Sequence, residues 1–110
     1  MRIESEERRN TVVAKVHATT LETDNVGDFR SAIAPVMENA DVMVLDLSEV
    51  GFMDSTGLGA MLSCLRSMKA RGGTLRVCSL MPEVQRLFDM VMMDRVFEIH
   101  PDVDSALAKG

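Results

Sequence analysis

An apolar run, a short polar segment and an amphipathic run follow one another in the middle of this chain. Val42 to Leu47 is almost continuously apolar, which is typical of a strand covered on both faces of a sheet. From Leu58 onward, apolar residues recur every three or four positions and predict a helix. The segment between them, Asp54 to Gly59, is therefore expected at a strand-to-helix junction. We call it the junction segment.

The same alternation of strand and helix patterns extends along the whole chain. Strands are predicted at 2–7, 11–17, 42–47, 74–80 and 96–99. Helical apolar spacing covers Val26 to Met37, Leu58 to Met68, Val84 to Val91 and Val103 to Leu107. The prediction is one α/β domain over residues 1–110 with an N-terminal hairpin, a mixed sheet of about five strands and about four helices mainly on one side.

The first predicted helix has an uncertain start and a proline inside it. Asp24 or Asn25 is suited to cap its N-terminus. Pro35 removes one hydrogen bond from the helix interior, so a bend is expected near that residue.

Composition limits the classes of partner. The 110 residues are 46% hydrophobic, enough for one core and too few for a separate catalytic domain. A net charge of −5, with scattered Lys and Arg and no Trp or Tyr, argues against nucleic acid and anionic membranes and favours a protein partner. The N-terminus lacks the apolar core of a signal peptide and no run is long enough to span a membrane, so a cytoplasmic location is expected.

The two cysteines, Cys64 and Cys78, each fall within an apolar periodic segment. Two cysteines are too few for a disulfide framework or a four-ligand zinc site. Buried thiols in a reducing compartment are expected, with no metal or cofactor.

The junction segment suits a phosphate group. At the start of a helix the backbone N–H groups lack intrahelical partners and the helix dipole is positive. The phosphate of a bound nucleotide and a phosphate covalently attached to a hydroxyl are both compatible with this.

A P-loop requires Lys before its Ser or Thr, and there is no Lys between Lys15 and Lys69. A dinucleotide fingerprint would need a small residue in place of Leu62, and a hydrolase elbow would need Gly in place of Met53.

Other catalytic arrangements have weak support. His17 and His100 show no spacing that indicates a triad with Ser55, and ordinary polar or capping roles are favoured for them. Asp46 ends a predicted central strand, like the phosphate acceptor of a receiver domain. That domain would need an acidic pair after the first strand to hold magnesium, and Glu22 is a single carboxylate.

Several motifs together resemble a STAS domain, specifically a stand-alone anti-sigma factor antagonist. The central string, with a serine directly after Asp, is the most specific of these motifs, and the resemblance extends over nearly the whole chain. The motifs are Val44-Leu45-Asp46-Leu47, Phe52-Met53-Asp54-Ser55-Thr56-Gly57-Leu58-Gly59, Gly72-Gly73, Pro82-Glu83-Val84 and Arg86-Leu87-Phe88.

The resemblance implies a non-enzymatic protein that switches partners and is a monomer when free. Its unmodified form would bind an anti-sigma factor that is also an ATP-binding serine kinase, and so release a sigma factor. Phosphorylation of Ser55 would switch the antagonist off, and a PP2C-type serine phosphatase would reset it.

The resemblance also implies the site residues. Ser55 would accept the phosphate, with Thr56 as the alternative acceptor. Met53 and Leu58 are expected to supply apolar contact, and Gly57 and Gly59 to allow close approach of the partner. The expected partner-binding residues are Glu22, Met53, Asp54, Ser55, Thr56, Gly57, Leu58 and Gly59.

Three other interpretations remain at this stage. The chain could be a STAS subunit of a lipid-transport or stress-sensing complex in which Ser55 is never phosphorylated. It could be an enzyme that binds a nucleotide at the junction segment. Taken without its neighbours, Ser55 would be interpreted only as a helix N-cap. Family members often have Gly and Asp in the turn that is Thr19 to Glu22 in this chain. Because this turn differs, the sequence does not specify which kinase is recognised.

Overall fold

The computed structural model describes residues 1–108. Its strands are β1 (Arg2–Arg8), β2 (Thr11–His17), β3 (Thr20–Leu21), β4 (Val42–Asp46), β5 (Phe52–Met53), β6 (Thr74–Cys78) and β7 (Glu98–His100). Its helices are α1 (Val26–Met37), α2 (Ser55–Ala70), α3 (Pro82–Met90) and α4 (Val103–Ala108), with a 3₁₀ turn at Met93–Arg95.

The main sheet is mixed, as predicted. Its five strands lie in the order β1-β2-β4-β6-β7. The first two form an antiparallel hairpin, and each later neighbour is parallel. Arg9 takes a positive φ of 57° in the hairpin turn. The strands β3 and β5 form a separate two-stranded parallel sheet that the sequence patterns did not predict.

The two faces of the main sheet are covered unequally. Residues such as Met43 and Leu45 point into the larger core, to which α1, α2 and α3 contribute. Val44 and Cys78 face the other way and pack against Ala106 of α4. Three helices therefore lie on one face and one on the other, which confirms the predicted architecture. Helices therefore cover both faces of the sheet at β4, as its apolar sequence predicted.

The start of α1 differs from the expected capping. Asn25 precedes the helix, but its side chain forms no cap. Its Oδ1 accepts from the Glu22 N–H at 2.9 Å, and its Nδ2 donates to the Thr20 carbonyl at 2.8 Å. Asn25 thus fixes the loop between β3 and α1. Pro35 lies inside the last turn of α1, and the bend there stays a prediction.

Both cysteines are buried and free, as expected. Burial raises the pKa of the Cys64 thiol to about 11, and it does the same for Cys78. Both side chains therefore remain neutral thiols at physiological pH.

Candidate functional site

The junction segment lies where two short parallel strands end side by side. Thr20 pairs with Phe52, and Leu21 pairs with Met53. The Asp54 N–H extends this pairing by donating to the Leu21 carbonyl at 3.3 Å. The loop after β3 and the start of α2 therefore lie next to each other.

Asp54, rather than Ser55, caps α2. Its backbone is extended, and its Oδ1 accepts a hydrogen bond from the Gly57 N–H at 3.0 Å. The interpretation of Ser55 as an N-cap is wrong, since Ser55 is the first residue of the helix. The helix also begins three residues before the predicted start at Leu58, because the capping Asp54 carboxylate satisfies an N–H group of the first turn.

The Asp54 carboxylate joins the two loops. Its Oδ1 also accepts from the Thr56 hydroxyl at 2.6 Å, while its Oδ2 accepts from both the N–H and the hydroxyl of Thr23 at 3.1 Å. The two threonine hydroxyl oxygens lie 3.3 Å apart. The Thr56 hydroxyl, followed by the Gly57 N–H, holds the pKa of Asp54 well below its usual range. Asp54 is therefore ionised at physiological pH.

The two candidate hydroxyls differ in their surroundings. Ser55 is exposed, and within residues 1–108 its side chain has no hydrogen-bond partner. Thr56 is exposed too, but its hydroxyl donates to Asp54. Ser55 thus has its hydroxyl available to an incoming group, whereas the Thr56 hydroxyl is already bonded.

Gly57 is required by packing within the chain. A Cβ at this position would lie 2.2 Å from the Leu21 carbonyl oxygen and 2.6 Å from Cγ of Met53. The expectation that Gly57 allows a partner to approach is wrong, because the backbone of β3 occupies that space. At Gly59 a Cβ would meet nothing within 4 Å, and this residue is partly exposed. Of these two glycines, only Gly59 leaves room for another group beside the helix.

Met53 and Leu58 are largely buried within the domain. They are 4% and 7% exposed and belong to the main core. β5 and the first turn of α2 use these side chains to attach the junction segment to the domain, and their expected contact role stays a prediction that this burial does not support. The exposed apolar neighbour is Phe52, with 53% of its surface accessible. The strand β5 has only two residues, so no periodic pattern in the sequence distinguishes Phe52 from Met53.

Glu22 and Thr23 lie beside the junction segment. Glu22 is partly exposed, and its carbonyl accepts from the Val26 N–H at 2.8 Å. Thr23 bonds directly to Asp54 and was not among the expected site residues. No sequence signal indicated this contact, because it joins residues 31 positions apart.

The rejected catalytic residues form other contacts. His17 lies between Glu4 and Glu49, and His100 lies 2.8 Å from Glu98. Asp46 Oδ1 accepts from the Ser48 N–H at 2.9 Å. Over residues 1–108 there is no group of three or more side chains placed to hold a metal ion. None of the helices in this range is both long and apolar enough to cross a membrane.

The fold and site define a small α/β domain with an exposed serine at a capped helix start. The chain belongs to the STAS domain family, whose model matches residues 2–106. It is similar to the anti-sigma F factor antagonist of Paenibacillus polymyxa, with 36% identity over 67 residues, 61% of this chain and 57% of the relative. It is also similar to the anti-sigma-B factor antagonist of Bacillus subtilis, with 31% identity over 71 residues, 64% of this chain and 65% of the relative.

These matches span less than two thirds of either relative. Among solved structures, a STAS domain protein from Planctomyces limnophilus superposes with a TM-score of 0.86, covering 96% of this chain and 94% of the other. Identity to that protein is 19%, so the likeness supports the fold alone.

Proposed function

We propose that this chain is an anti-sigma factor antagonist that phosphorylation of Ser55 switches off. The observation that supports this most is the exposed Ser55 hydroxyl, which has no hydrogen-bond partner within residues 1–108 and lies in the first turn of α2. The names of the two relatives support the same role. The unmodified chain binds an anti-sigma factor with serine kinase activity, and the sigma factor is released.

The kinase transfers the γ-phosphoryl group of ATP to Ser55. A bond forms between Ser55 Oγ and the γ-phosphorus while the bond from that phosphorus to the ADP oxygen breaks. The hydroxyl proton passes to a base of the kinase. A PP2C-type phosphatase hydrolyses the phosphate and restores the hydroxyl. The chain itself acts as a substrate and a binding module, not as an enzyme, in the cytoplasm.

The added charge explains why modification ends binding. A phosphate on Ser55 adds about −1.5 to −2 charge at an exposed position. It lies next to Asp54, which is ionised because its pKa is lowered by the Thr56 hydroxyl and the Gly57 N–H. A kinase surface that fits the unmodified hydroxyl then faces a bulky dianion. A loss of about 1.4 kcal/mol in binding free energy corresponds to tenfold weaker binding.

Thr56 is the less suitable acceptor. Its hydroxyl donates to Asp54 at 2.6 Å, so transfer to Thr56 would first break this bond. The product would also place a phosphate directly against the Asp54 carboxylate. Transfer to Ser55 breaks no such bond, because the Ser55 hydroxyl does not donate to Asp54.

The test is incubation of the chain with ATP and each serine-kinase anti-sigma factor of the source organism, followed by mass measurement. The wild type should gain one phosphate, and Ser55→Ala should gain none. Thr56→Val is the matched control and should be phosphorylated. Phosphate incorporation that Ser55→Ala does not reduce would contradict the site. If no kinase modifies the wild type, a STAS subunit that is never phosphorylated becomes the better account.

A further inference from the structure

His17 contacts two carboxylates that belong to different parts of the chain. It is the last residue of β2, and its Nε2 lies 2.7 Å from Oε1 of Glu4 on β1. Its Nδ1 lies 3.1 Å from Oε2 of Glu49, in the loop between β4 and β5. We call these two contacts the His17 bridge. The bridge joins the N-terminal hairpin to the loop that leads into β5.

Both contacts require a hydrogen on the ring nitrogen that makes them. An ionised carboxylate only accepts hydrogen bonds, so each nitrogen of His17 has to donate. A neutral imidazole has one N–H group, whereas the imidazolium ion has two. The bond from His17 is the largest cause that lowers the pKa of Glu4, so this carboxylate is ionised at physiological pH. The His17 bridge is therefore complete only while His17 carries a positive charge.

Two permanent cations lie at the outer ends of the bridge. Arg2 Nη2 lies 3.5 Å from the same oxygen of Glu4, and Lys15 Nζ lies 3.5 Å from the same oxygen of Glu49. The two carboxylates favour a charged His17, while the two cations oppose it. Arginine and lysine keep their charge near neutral pH, whereas histidine is the side chain that changes its charge there. A change in pH therefore acts on the central member of this chain of charges.

The neighbouring strand β4 contributes one further acid at this end of the sheet. Asp46 pairs in register with Lys15, and its Oδ1 accepts from the Ser48 N–H at 2.9 Å. Its negative charge adds to that of the two glutamates. The His17 side chain is 18% exposed, so protons can reach it without unfolding of the domain.

The His17 bridge lies where the small parallel sheet of β3 and β5 starts. β3 begins three residues after His17, and β5 begins three residues after Glu49. Between the bridge and β5, the Gly51 N–H donates to the Thr19 carbonyl at 2.9 Å. The bridge and this hydrogen bond together hold the two chain segments side by side. The junction segment follows directly at the other end of the small sheet.

We propose that the His17 bridge is a pH-sensitive contact that holds the start of the small sheet together. While His17 is charged, both glutamates are bonded through its ring. As pH rises and the ring loses one proton, one nitrogen presents a lone pair to a carboxylate and that bond is lost. Whichever nitrogen keeps its proton, the hairpin and the loop are no longer joined through His17. The small sheet then opens more often.

Amide hydrogen exchange, measured by NMR at about pH 6 and about pH 8, tests this proposal. Protection factors are compared, because they correct for the chemical dependence of exchange on pH. In the wild type, the protection of the Gly51 and Asp54 N–H groups should fall about fivefold from the lower to the higher pH, since one partly exposed hydrogen bond is lost. The Thr74 N–H, which donates to the Asp41 carbonyl at the opposite end of the main sheet, should keep its protection.

Two glutamine variants separate His17 from the other histidine of the chain. Glutamine does not titrate, so in His17→Gln the protection of Gly51 should no longer depend on pH and should stay near the wild-type value at about pH 8. His100→Gln is the matched control, since His100 also contacts a glutamate, Glu98, at 2.8 Å, but on the edge strand β7. This variant should keep the wild-type dependence on pH.

The nitrogen-15 shifts of the His17 ring give a second measurement in the wild type. They should show two protonated nitrogens where Gly51 is protected and one where that protection is lost. Protection of Gly51 that does not change with pH, or that falls equally in His17→Gln, would overturn the proposal. If His17→Gln does not fold, the ring shifts and the comparison with His100→Gln still decide. No kinase enters these measurements, so their outcome is independent of whether Ser55 is phosphorylated.

Discussion

The Thr56 hydroxyl donates a hydrogen bond to Asp54 Oδ1 at 2.6 Å. The other oxygen of the same carboxylate accepts a hydrogen bond from the Thr23 N–H of the neighbouring loop. The residue that caps α2 therefore also binds one of the two adjacent hydroxyls. Ser55, between Asp54 and Thr56 in the chain, has no such bond within residues 1–108. This difference provides a physical basis for choosing between two neighbouring phosphate acceptors.

Asp54 should determine which hydroxyl is phosphorylated. Ser55→Ala should not transfer the phosphate to Thr56, because that hydroxyl donates to an ionised carboxylate. In the double variant Ser55→Ala with Asp54→Asn, the neutral amide removes the repulsion, and phosphate should appear on Thr56. Peptide mapping by mass spectrometry identifies the modified residue. Phosphorylated Thr56 in the single Ser55→Ala variant would contradict the role given to Asp54.

The two glycines in the first turns of α2 should respond in opposite ways to alanine. Gly57→Ala places a Cβ 2.2 Å from the Leu21 carbonyl oxygen and should lower the free energy of unfolding by about 2 kcal/mol or more. Gly59→Ala adds a methyl group where nothing lies within 4 Å, and it should raise stability by about 0.5 to 1 kcal/mol through helix propensity. Urea denaturation measures both. A tolerated Gly57→Ala would show that α2 can move away from β3.

The sequence predicted the main architecture because long periodic segments determine it. The apolar run of β4 and the helical spacing of α2 each extend over enough residues to be unambiguous. The position of the junction segment followed from these two elements. Asp54 and Ser55 were placed together at a helix start for the same reason.

The details of the site depended on short elements and distant contacts. The strands β3 and β5 have two residues each, which is too short for a period to be recognised. Their pairing buries Met53 and exposes Phe52, a difference that no periodic pattern in the sequence indicates. The bond between Thr23 and Asp54 depends on that pairing as well, and no local pattern indicates it.

A negative charge at Ser55 should weaken kinase binding without unfolding the domain. Ser55→Asp adds a carboxylate at the exposed first position of α2, where the helix dipole favours negative charge. The unfolding midpoint should therefore stay at or slightly above that of the wild type. Affinity for the kinase should fall by about tenfold, since one carboxylate has less charge than a phosphate. Calorimetry compares it with Ser55→Ala, and equal affinities would contradict electrostatic release.

The lowered pKa of Asp54 should make stability depend on pH in the acid range. The Thr56 hydroxyl and the Gly57 N–H stabilise the ionised form in the folded state, so the folded pKa lies below the unfolded value of about 3.9. The unfolded chain thus binds its proton first as pH falls. The contribution of Asp54 is complete above the unfolded pKa and is lost progressively as pH falls toward the folded pKa.

Asp54→Asn isolates this contribution, because asparagine still caps a helix but does not titrate. Urea midpoints measured between about pH 5 and pH 2 should decline less steeply for Asp54→Asn than for the wild type. Asp102 provides a comparison. Its Oδ1 accepts a hydrogen bond from the Ser105 N–H at 2.7 Å, and this bond lowers the pKa of Asp102. Asp102→Asn should remove a different part of the same decline, at the start of α4. Parallel pH profiles for the wild type and Asp54→Asn would show that the bonds from Thr56 and Gly57 do not favour the ionised carboxylate in solution.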